Sequence, residues 1–541
     1  MSLEIDYAVL LPALVPLAGI VAVLVADLVV PRLRRLPYAV AGLAALGSAA
    51  ATVPGLGLGG GSTRSTVCLA LAGGPSGGPA RGPAVEGLAG QCFWQADALG
   101  ATLQLAAALS AAVCVALAWP RRSRRRPAGT TSEPVEAVLL LAALAGTVVV
   151  AASRDVGTWL VALELATLPV IVLVALSGRR SAVAGATQLL VTSLVSFALL
   201  VLGIALWFAA TGSPFLTPDA VLGSVGSVGS SGSAGAAVAG GTSVAWASVS
   251  GGVLSLATVL VVAGVGFKLS LVPFHAWTPT AYSGSSVAVA TFLATVSKVA
   301  ALAALLVVLR AVAVLGTPAL VAMAVLAALS MTLGNVMALR QHDVVRLLAW
   351  STVAQAGWVV LPLVSISALG VTASATYLLT YVVATLVAFG VVAVTVGERP
   401  RDGRRLTAYD GLWQRAPWRA GALVLALTSL AGLPPGVIGL VGKVTALRPV
   451  VAQGWVWLAV IAAVNAVLGV AVYLRWVRGI ITAPEAAAVA APDAAPDAAP
   501  GAARVATRTA ARPAVVVALV LSAAVLVAVS VQPDLLLRLL G

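Results

Sequence analysis

Fourteen stretches of this 541-residue chain are apolar for long enough to cross a bilayer as a helix, and few folds are open to such a chain. A spanning helix needs about 20 apolar residues, because every backbone N–H and C=O in hydrocarbon must find its partner within the protein. The runs fall at 8–29, 38–56, 97–119, 135–152, 156–177, 184–209, 252–282, 286–310, 317–338, 344–364, 370–396, 416–449, 455–478 and 513–536. With 60% hydrophobic and 9% charged residues and a mean hydropathy of +1.06, an ordinary soluble domain is excluded. The pattern predicts an all-α polytopic membrane protein of about fourteen transmembrane helices. The first run is too long and too lightly flanked for a cleaved signal peptide and reads as a retained helix. Runs 252–282 and 416–449 exceed one straight span and carry Pro273 and Pro434–Pro435 in their interiors. Proline removes a backbone donor and clashes with the preceding turn, so both helices should be broken at mid-membrane.

The basic residues fix the expected orientation. With the N-terminus outside and the helices alternating, 23 arginines fall in inner loops and 6 in outer ones (Arg64, Arg81, Arg154, Arg310, Arg448 and Arg538). That bias obeys the positive-inside rule and places both termini on the outer side. It also accounts for the net charge of +14 without nucleic acid, since no basic stripe is interleaved with aromatics. Two Gly/Ser-rich outer loops, 57–96 and 211–250, read as flexible and solvated. Cys68 and Cys92 share the first of them, outside the cytoplasm, where a disulfide persists, and are expected to pair. Cys114 reads as a small buried hydrophobe, no cysteine has metal-ligand spacing, and no metal is expected. The Ala/Pro-rich segment 482–512 reads as a disordered inner linker.

Against this background the lysines stand out. There are three, Lys268, Lys298 and Lys443, and all lie inside apolar runs. An ammonium in hydrocarbon is costly and is kept only with a partner or a task. A buried lysine can give up its proton, whereas an arginine stays charged. Three isolated intramembrane lysines therefore point to a proton path. Of the 18 acidic residues only Glu164 lies at the centre of a run, so Glu164 and one lysine should neutralise each other. His275 follows Lys268 by seven residues, two turns along the same face were the helix to continue, and is a candidate relay. Thr291, Thr295 and Ser297 near Lys298 are candidates for holding water along the path.

At this point the motifs become familiar. The stretch GFKLSLVPFHAWTPTAYSGSSVAVATFLATVSKVA resembles the proton-channel core of the antiporter-like subunits of respiratory complex I, the NADH:quinone oxidoreductase. So do LELATLPVIVLVAL, LGNVMALRQHDVVRLLAWSTVAQAG, LAGLPPGVIGLVGK and NAVLGVAVYLRWV. Among those subunits the best match is subunit N, on GNVMALRQ, on a lysine rather than a glutamate at 443, on YLRW, and on fourteen helices with no long lateral helix. The resemblance covers roughly 8–40 and 97–480.

The resemblance implies two inverted five-helix repeats, 135–310 and 311–480, each with one broken helix. Residues 1–134 would precede them, and the linker 481–512 and a last helix in 513–541 would follow. It implies that Glu164 is the fifth-helix glutamate and Lys268 its partner, that Lys298 is the central lysine, and that Lys443 is the terminal lysine on the second broken helix. It further implies membership of a proton-pumping enzyme in a bacterial-type plasma membrane, beside another antiporter-like subunit and small hydrophobic subunits. NADH, FMN, iron–sulfur clusters and quinone would be held by partner subunits and none of them by this chain. A subunit of a multisubunit cation/proton antiporter or membrane-bound hydrogenase shares the same core motifs. Gln188 and Gln355 stand where the family often has a lysine and a histidine, and glutamine does not titrate.

Overall fold

In the computed structural model, residues 2–56, 63–70, 91–120, 132–226, 242–313, 318–482 and 513–540 are described. The central parts of both outer loops, the arginine cluster at 121–126 and the linker beyond Thr482 lie outside them. The chain folds as a helical bundle: α1 (Tyr7–Val29), α2 (Leu36–Thr52), α3 (Ala98–Ala118), α4 (Ser132–Ala152), α5 (Val156–Leu165), α6 (Leu168–Ala175), α7 (Arg180–Thr211), α8 (Pro218–Gly226), α9 (Thr242–Leu269), α10 (Trp277–Gly284) and α11 (Val287–Ala294). It continues with α12 (Val296–Ala311), α13 (Pro318–Leu339), α14 (Val344–Val360), α15 (Ala368–Glu398), α16 (Leu412–Arg415), α17 (Pro417–Ala431), α18 (Val437–Ala452), α19 (Val456–Ile481), α20 (Pro513–Val531) and α21 (Asp534–Leu537).

Helix starts follow local chemistry. Asp97, Asp155, Ser286, Asp343 and Ser367 each accept a hydrogen bond from the first-turn N–H groups of the helix they precede, satisfying donors that have no partner within the helix. Gly212 and Gly432 end α7 and α17 with φ of 65° and 79°, a left-handed turn that a side chain resists.

Thirteen spans among the described residues are long and apolar enough to cross a membrane. The fourteenth expected span, 416–449, is split at Pro434–Pro435 into α17 and α18, and neither half is long enough to count by itself. The 252–282 run breaks in the same way: α9 ends at Leu269, residues 270–276 are non-helical, and α10 resumes at Trp277. Two further interruptions were not expected. Val156–Ala175 is divided between α5 and α6 at Ala166–Thr167, just before Pro169, and Val287–Ala311 between α11 and α12 at Thr295.

The expectation that the outer loops 57–96 and 211–250 are flexible and solvated needs correction at their described residues. Residues Arg64–Ala70 (β2) and Cys92–Ala96 (β3) form an antiparallel sheet with Ser2–Glu4 (β1), in the order β1-β2-β3. Cys68 lies opposite Cys92 in the β2–β3 register, and the two are disulfide-bonded. Backbone pairing, which hydropathy does not register, is what orders these residues. In the second loop α8 forms over 218–226, and α9 begins at Thr242, well before the expected start at 252.

Contacts gather the loops on two faces. On one, β1 pairs with β2, Trp94 bridges Ser153, Asp155 bridges Phe215, and the Thr102 hydroxyl donates to the Leu539 carbonyl near the C-terminus. On the other, Asp343 bridges Arg405, the Arg404 guanidinium donates to the Ser283 and Ser285 carbonyls, and Arg475 donates to those of Leu339 and Gln341. This is the alternation expected of fourteen crossings with both ends on one face. Between the faces, α11 and α12 are almost wholly enclosed by the other helices, and Lys298 sits on this central element.

Candidate functional site: a row of buried lysines at broken helices

All three lysines are buried, and each ammonium is met by groups that a helix interruption sets free. The Lys268 Nζ, on the last turn of α9, lies 3.0 Å from Glu164 Oε1 and donates to the Thr167 hydroxyl at 2.6 Å. That hydroxyl in turn donates to the Leu163 carbonyl at 2.8 Å. Thr167 occupies the gap between α5 and α6, so the same interruption supplies the carboxylate side and the hydroxyl.

Lys298 has no carboxylate. Its Nζ donates to the carbonyl of Lys268 at 2.8 Å and to the Ser270 hydroxyl at 2.6 Å, with the Trp277 ring centre 4.8 Å away. These acceptors exist because α9 stops. A terminal carbonyl has no N–H partner four residues on and lies at the negative end of the helix dipole, where a cation is favoured. Ser270 has φ of 69°, unusual outside glycine, and its hydroxyl accepts both from Lys298 and from Thr278, the latter at 2.6 Å.

Lys443 repeats the arrangement at the second break. Its Nζ donates to the Ala431 carbonyl at 2.5 Å, at the end of α17, and lies 5.3 Å from the Trp358 ring centre. Gly432, with φ of 79°, leaves room for the lysine: a Cβ there would sit 2.8 Å from the Lys443 Cδ. Two of the three ammoniums are thus neutralised by helix C-termini and aromatic faces, and one by a carboxylate.

The sequence expectations meet this geometry unevenly. Glu164 and Lys268 are brought together, and the Lys268 carbonyl links Lys268 to Lys298. His275 lies in the non-helical 270–276 segment, as the break expected at Pro273 requires, and its ring centre is 5.3 Å from that of Trp350. The Thr291 and Thr295 hydroxyls donate to the Val287 and Thr291 carbonyls, and Thr295 meets Lys298 through the main chain, its carbonyl accepting from the Lys298 N–H at 3.0 Å. Gln188 receives a hydrogen bond from the Thr280 hydroxyl and donates to the Ala276 carbonyl, tying α7 to α10. The sequence reading missed Thr167 and Ser270. The TLP and LSLVP stretches carried a signal in their prolines, but proline marks a break without saying which hydroxyl it exposes.

A second charged cluster, at the face that carries the sheet, was not foreseen. Arg310 pairs with Asp97 at 2.5 Å, and Arg154 donates to the Gln95 side chain and the Ser153 carbonyl around a cavity of about 570 Å³. Burial lowers the Arg154 pKa to about 10, which still leaves it charged at neutral pH. Burial pushes the Asp97 carboxyl up, but the Arg310 guanidinium and the Gly100 N–H outweigh it, so its pKa ends below the ordinary 3.8. A depressed carboxyl contributes stability that is fully present above its unfolded value and lost as pH falls through the folded one. Asp97→Asn, which leaves Arg310 and Arg154 without a counter-charge, should therefore cost about 1–3 kcal/mol at pH 7. Thermal unfolding in detergent should show that difference shrinking below pH 4, where the parent also loses its carboxylate.

Comparison with known proteins decides the family. The family described as NADH:quinone oxidoreductase/Mrp antiporter, transmembrane, matches residues 153–469. NADH-quinone oxidoreductase subunit N of Salinispora tropica is 36% identical over 498 residues, covering 90% of this chain and 87% of the relative. The chain belongs to the subunit N family of NADH-quinone oxidoreductase. Subunit N 2 of Streptomyces griseus is 35% identical over 90% of this chain and 84% of its own length. Among solved structures, respiratory complex I from Thermus thermophilus contains a chain 28% identical, with a TM-score of 0.69 over 97% of this chain and 98% of that one. The Mrp complex from a Dietzia species contains a chain with a TM-score of 0.73 at 21% identity, covering 99% and 96%, a likeness of fold. The subunit N family thus supplies the frame in which the lysine row is to be read.

Proposed function

We propose that this chain is a proton-translocating membrane subunit of a NADH:quinone oxidoreductase, in which protons pass along Glu164, Lys268, Lys298 and Lys443. The observation that carries the reading is the row of buried ammoniums seated at helix breaks. While Glu164 lies against Lys268, the ammonium form is favoured. If electron transfer elsewhere in the enzyme draws the carboxylate away, the buried ammonium loses its counter-charge and releases its proton towards Lys298. Lys298 and Lys443 hold a proton against carbonyl and hydroxyl oxygens, to which the neutral amine can still donate, so either protonation state keeps the side chain in its seat. Each is therefore a station that accepts and passes on, with release through Lys443. His275 remains a candidate relay only through its place in the break beside Lys268.

NADH, FMN, iron–sulfur clusters and quinone would be handled by partner subunits, so the chain would contribute translocation and no redox centre. Partners would be a neighbouring antiporter-like subunit and small hydrophobic subunits in a bacterial-type plasma membrane. The Cys68–Cys92 disulfide and the arginine bias support an outer placement for the sheet and both termini. The organisation into inverted repeats, 135–310 and 311–480, is supported by the paired breaks at Pro273 and Pro434–Pro435.

The fold likeness to the Mrp complex keeps a cation/proton antiporter as the second reading, while relatives above 30% identity over most of both chains favour the oxidoreductase. Mild-detergent purification of the tagged chain separates them. Co-purification with flavin and iron–sulfur subunits and NADH-dependent quinone reduction is expected; recovery with hydrophobic antiporter subunits and no NADH oxidation would move the assignment.

A further inference from the structure

Arg154 is a buried cation without an ion-pair partner among the described residues. It follows α4 and is only 9% exposed. Its main chain is fixed from both sides, its N–H donating to the Phe93 carbonyl and its carbonyl accepting from the Leu216 N–H. The guanidinium donates from Nε to Gln95 Oε1 at 3.3 Å and from Nη1 to the Ser153 carbonyl at 3.0 Å, both neutral acceptors. A guanidinium has five N–H groups, so three find no acceptor among the described residues. The carboxylate at the same cavity, that of Asp97, is already engaged. Its Oδ2 meets Arg310 at 2.5 Å, and its Oδ1 accepts from the Gly100 N–H at 2.7 Å. Arg154 and Arg310 thus share one counter-charge, and a buried charge left uncompensated is costly.

The rest of the wall suits a negative group. Helices α3, α8 and α15 all begin at the cavity, at Ala98, Pro218 and Ala368, and bring the positive ends of their dipoles to it. The Thr217 hydroxyl, immediately before α8, is buried and has no hydrogen-bond partner among the described residues. Gln95 spends its Oε1 on Arg154 and keeps its amide nitrogen as a donor. Part of the wall is apolar, from Leu99, Val307 and Ile366. At about 570 Å³ the cavity falls in the range of small-molecule sites, roughly 300–1,000 Å³, and is far larger than one water needs.

We propose that this cavity binds a phosphate group, held by Arg154 and Arg310, with Gln95 and Thr217 as neutral donors. Guanidinium and phosphate match in shape as well as charge, because two parallel N–H groups meet two oxygens. On the face that carries the sheet, phosphate has two sources: the headgroup of a phospholipid in the adjoining leaflet, and inorganic phosphate in solution. The size of the cavity and its apolar wall favour the lipid, whose glycerol and first methylenes would lie against Leu99, Val307 and Ile366. The cavity is separate from the lysine row, since none of Glu164, Lys268, Lys298 and Lys443 lines it. The inference therefore stands without the proton path.

The test uses the assembled complex, purified in dodecyl maltoside and stripped of loosely held lipid. The unfolding midpoint of this subunit is followed while one of three probes is titrated in: dioleoylphosphatidylglycerol in mixed micelles, dioleoylglycerol in mixed micelles, or sodium phosphate at constant ionic strength. Dioleoylglycerol has the same chains without the phosphate. Arg154→Gln removes the charge, and Gln95→Glu puts a carboxylate where Oε1 already stands 3.3 Å from the Arg154 Nε. The second variant gives Arg154 an internal partner, so it should fold at least as stably as the parent while competing with the phosphate. Ligand that binds the native state raises the midpoint. Phosphatidylglycerol should act on the parent at a concentration about tenfold or more below that needed for either variant, since each charge-assisted hydrogen bond lost weakens binding by about that factor. Dioleoylglycerol should not separate parent from variants. If sodium phosphate separates them as well as phosphatidylglycerol does, the site stands and its ligand is soluble phosphate. If parent and variants respond alike to every probe, or dioleoylglycerol separates them as strongly, the phosphate site is wrong and Arg154 only ties neighbouring backbone together. Should Arg154→Gln fail to assemble, Gln95→Glu decides alone.

Discussion

Glu164→Ala should abolish most NADH-driven proton uptake while leaving the complex assembled. The carboxylate stands 3.0 Å from the Lys268 ammonium, the one carboxylate that meets any of the three lysines within salt-bridge distance among the described residues. Removing one partner of a buried pair leaves an uncompensated charge, at a cost of about 3–5 kcal/mol. Lys268 has an escape from that cost: it gives up its proton and persists as a neutral amine held by Thr167. Assembly then survives, but the site no longer alternates between charged and neutral, and proton entry to the row stops. The expected result is uptake reduced by about tenfold or more, since each 1.36 kcal/mol added to the barrier slows a step about tenfold. Blue-native electrophoresis should show a normal amount of complex. Equal losses of uptake and of assembled complex would mean that the pair is only a tether between α5 and α9.

The second large effect concerns the break that seats Lys443. Gly439 lies in the first turn of α18 and faces Ser429 on α17, so closely that an added Cβ would overlap the Ser429 carbonyl. No rotamer relieves a clash between a Cβ and backbone. Gly439→Ala must therefore push α17 and α18 apart, displacing the Ala431 carbonyl that holds Lys443. The cost should reach the upper end of overpacking, about 3 kcal/mol. Gly421 on α17 is a matched control, because a Cβ there meets nothing within 4 Å. Gly421→Ala should be neutral or stabilising by up to about 1 kcal/mol, the helix preference for alanine over glycine. Thermal unfolding of the purified complex, read on this subunit, distinguishes the two; equal behaviour would remove the close α17–α18 contact from the account.

How much of this was legible in the residues follows from what kind of signal each feature leaves. Hydropathy marks the spans because hydrocarbon penalises unpaired backbone and charge alike, and the lysines and Glu164 stand out for the same reason. Pro273 and Pro434–Pro435 marked two interruptions, since proline acts locally. The division at Thr295 has no proline, so nothing in its own stretch announces it. The partners of Lys298 were out of reach for a different reason: a main-chain carbonyl is present at every residue, and only the end of α9 makes that of Lys268 available. His275 would share a face with Lys268 only in an unbroken helix, and the break expected at Pro273 places it in the non-helical 270–276 segment instead. The Asp97–Arg310 pair joins residues 213 apart in sequence, and each alone reads as an ordinary loop charge. The β1-β2-β3 sheet escaped because short strands in a Gly/Ser-rich loop carry little periodicity.

The central claim is that the lysines act by giving up and regaining a proton, and Lys268→Arg tests it most directly. A guanidinium keeps the charge next to Glu164 and keeps donors for the Thr167 hydroxyl, but it does not deprotonate in a protein. Proton uptake by inverted vesicles should be measured against NADH oxidation and the amount of assembled complex. The account predicts a normally assembled complex whose uptake falls about as far as that of Glu164→Ala. Uptake at the parent rate with arginine at position 268 would contradict it, because the pair would then work as a fixed charge and not as a proton carrier.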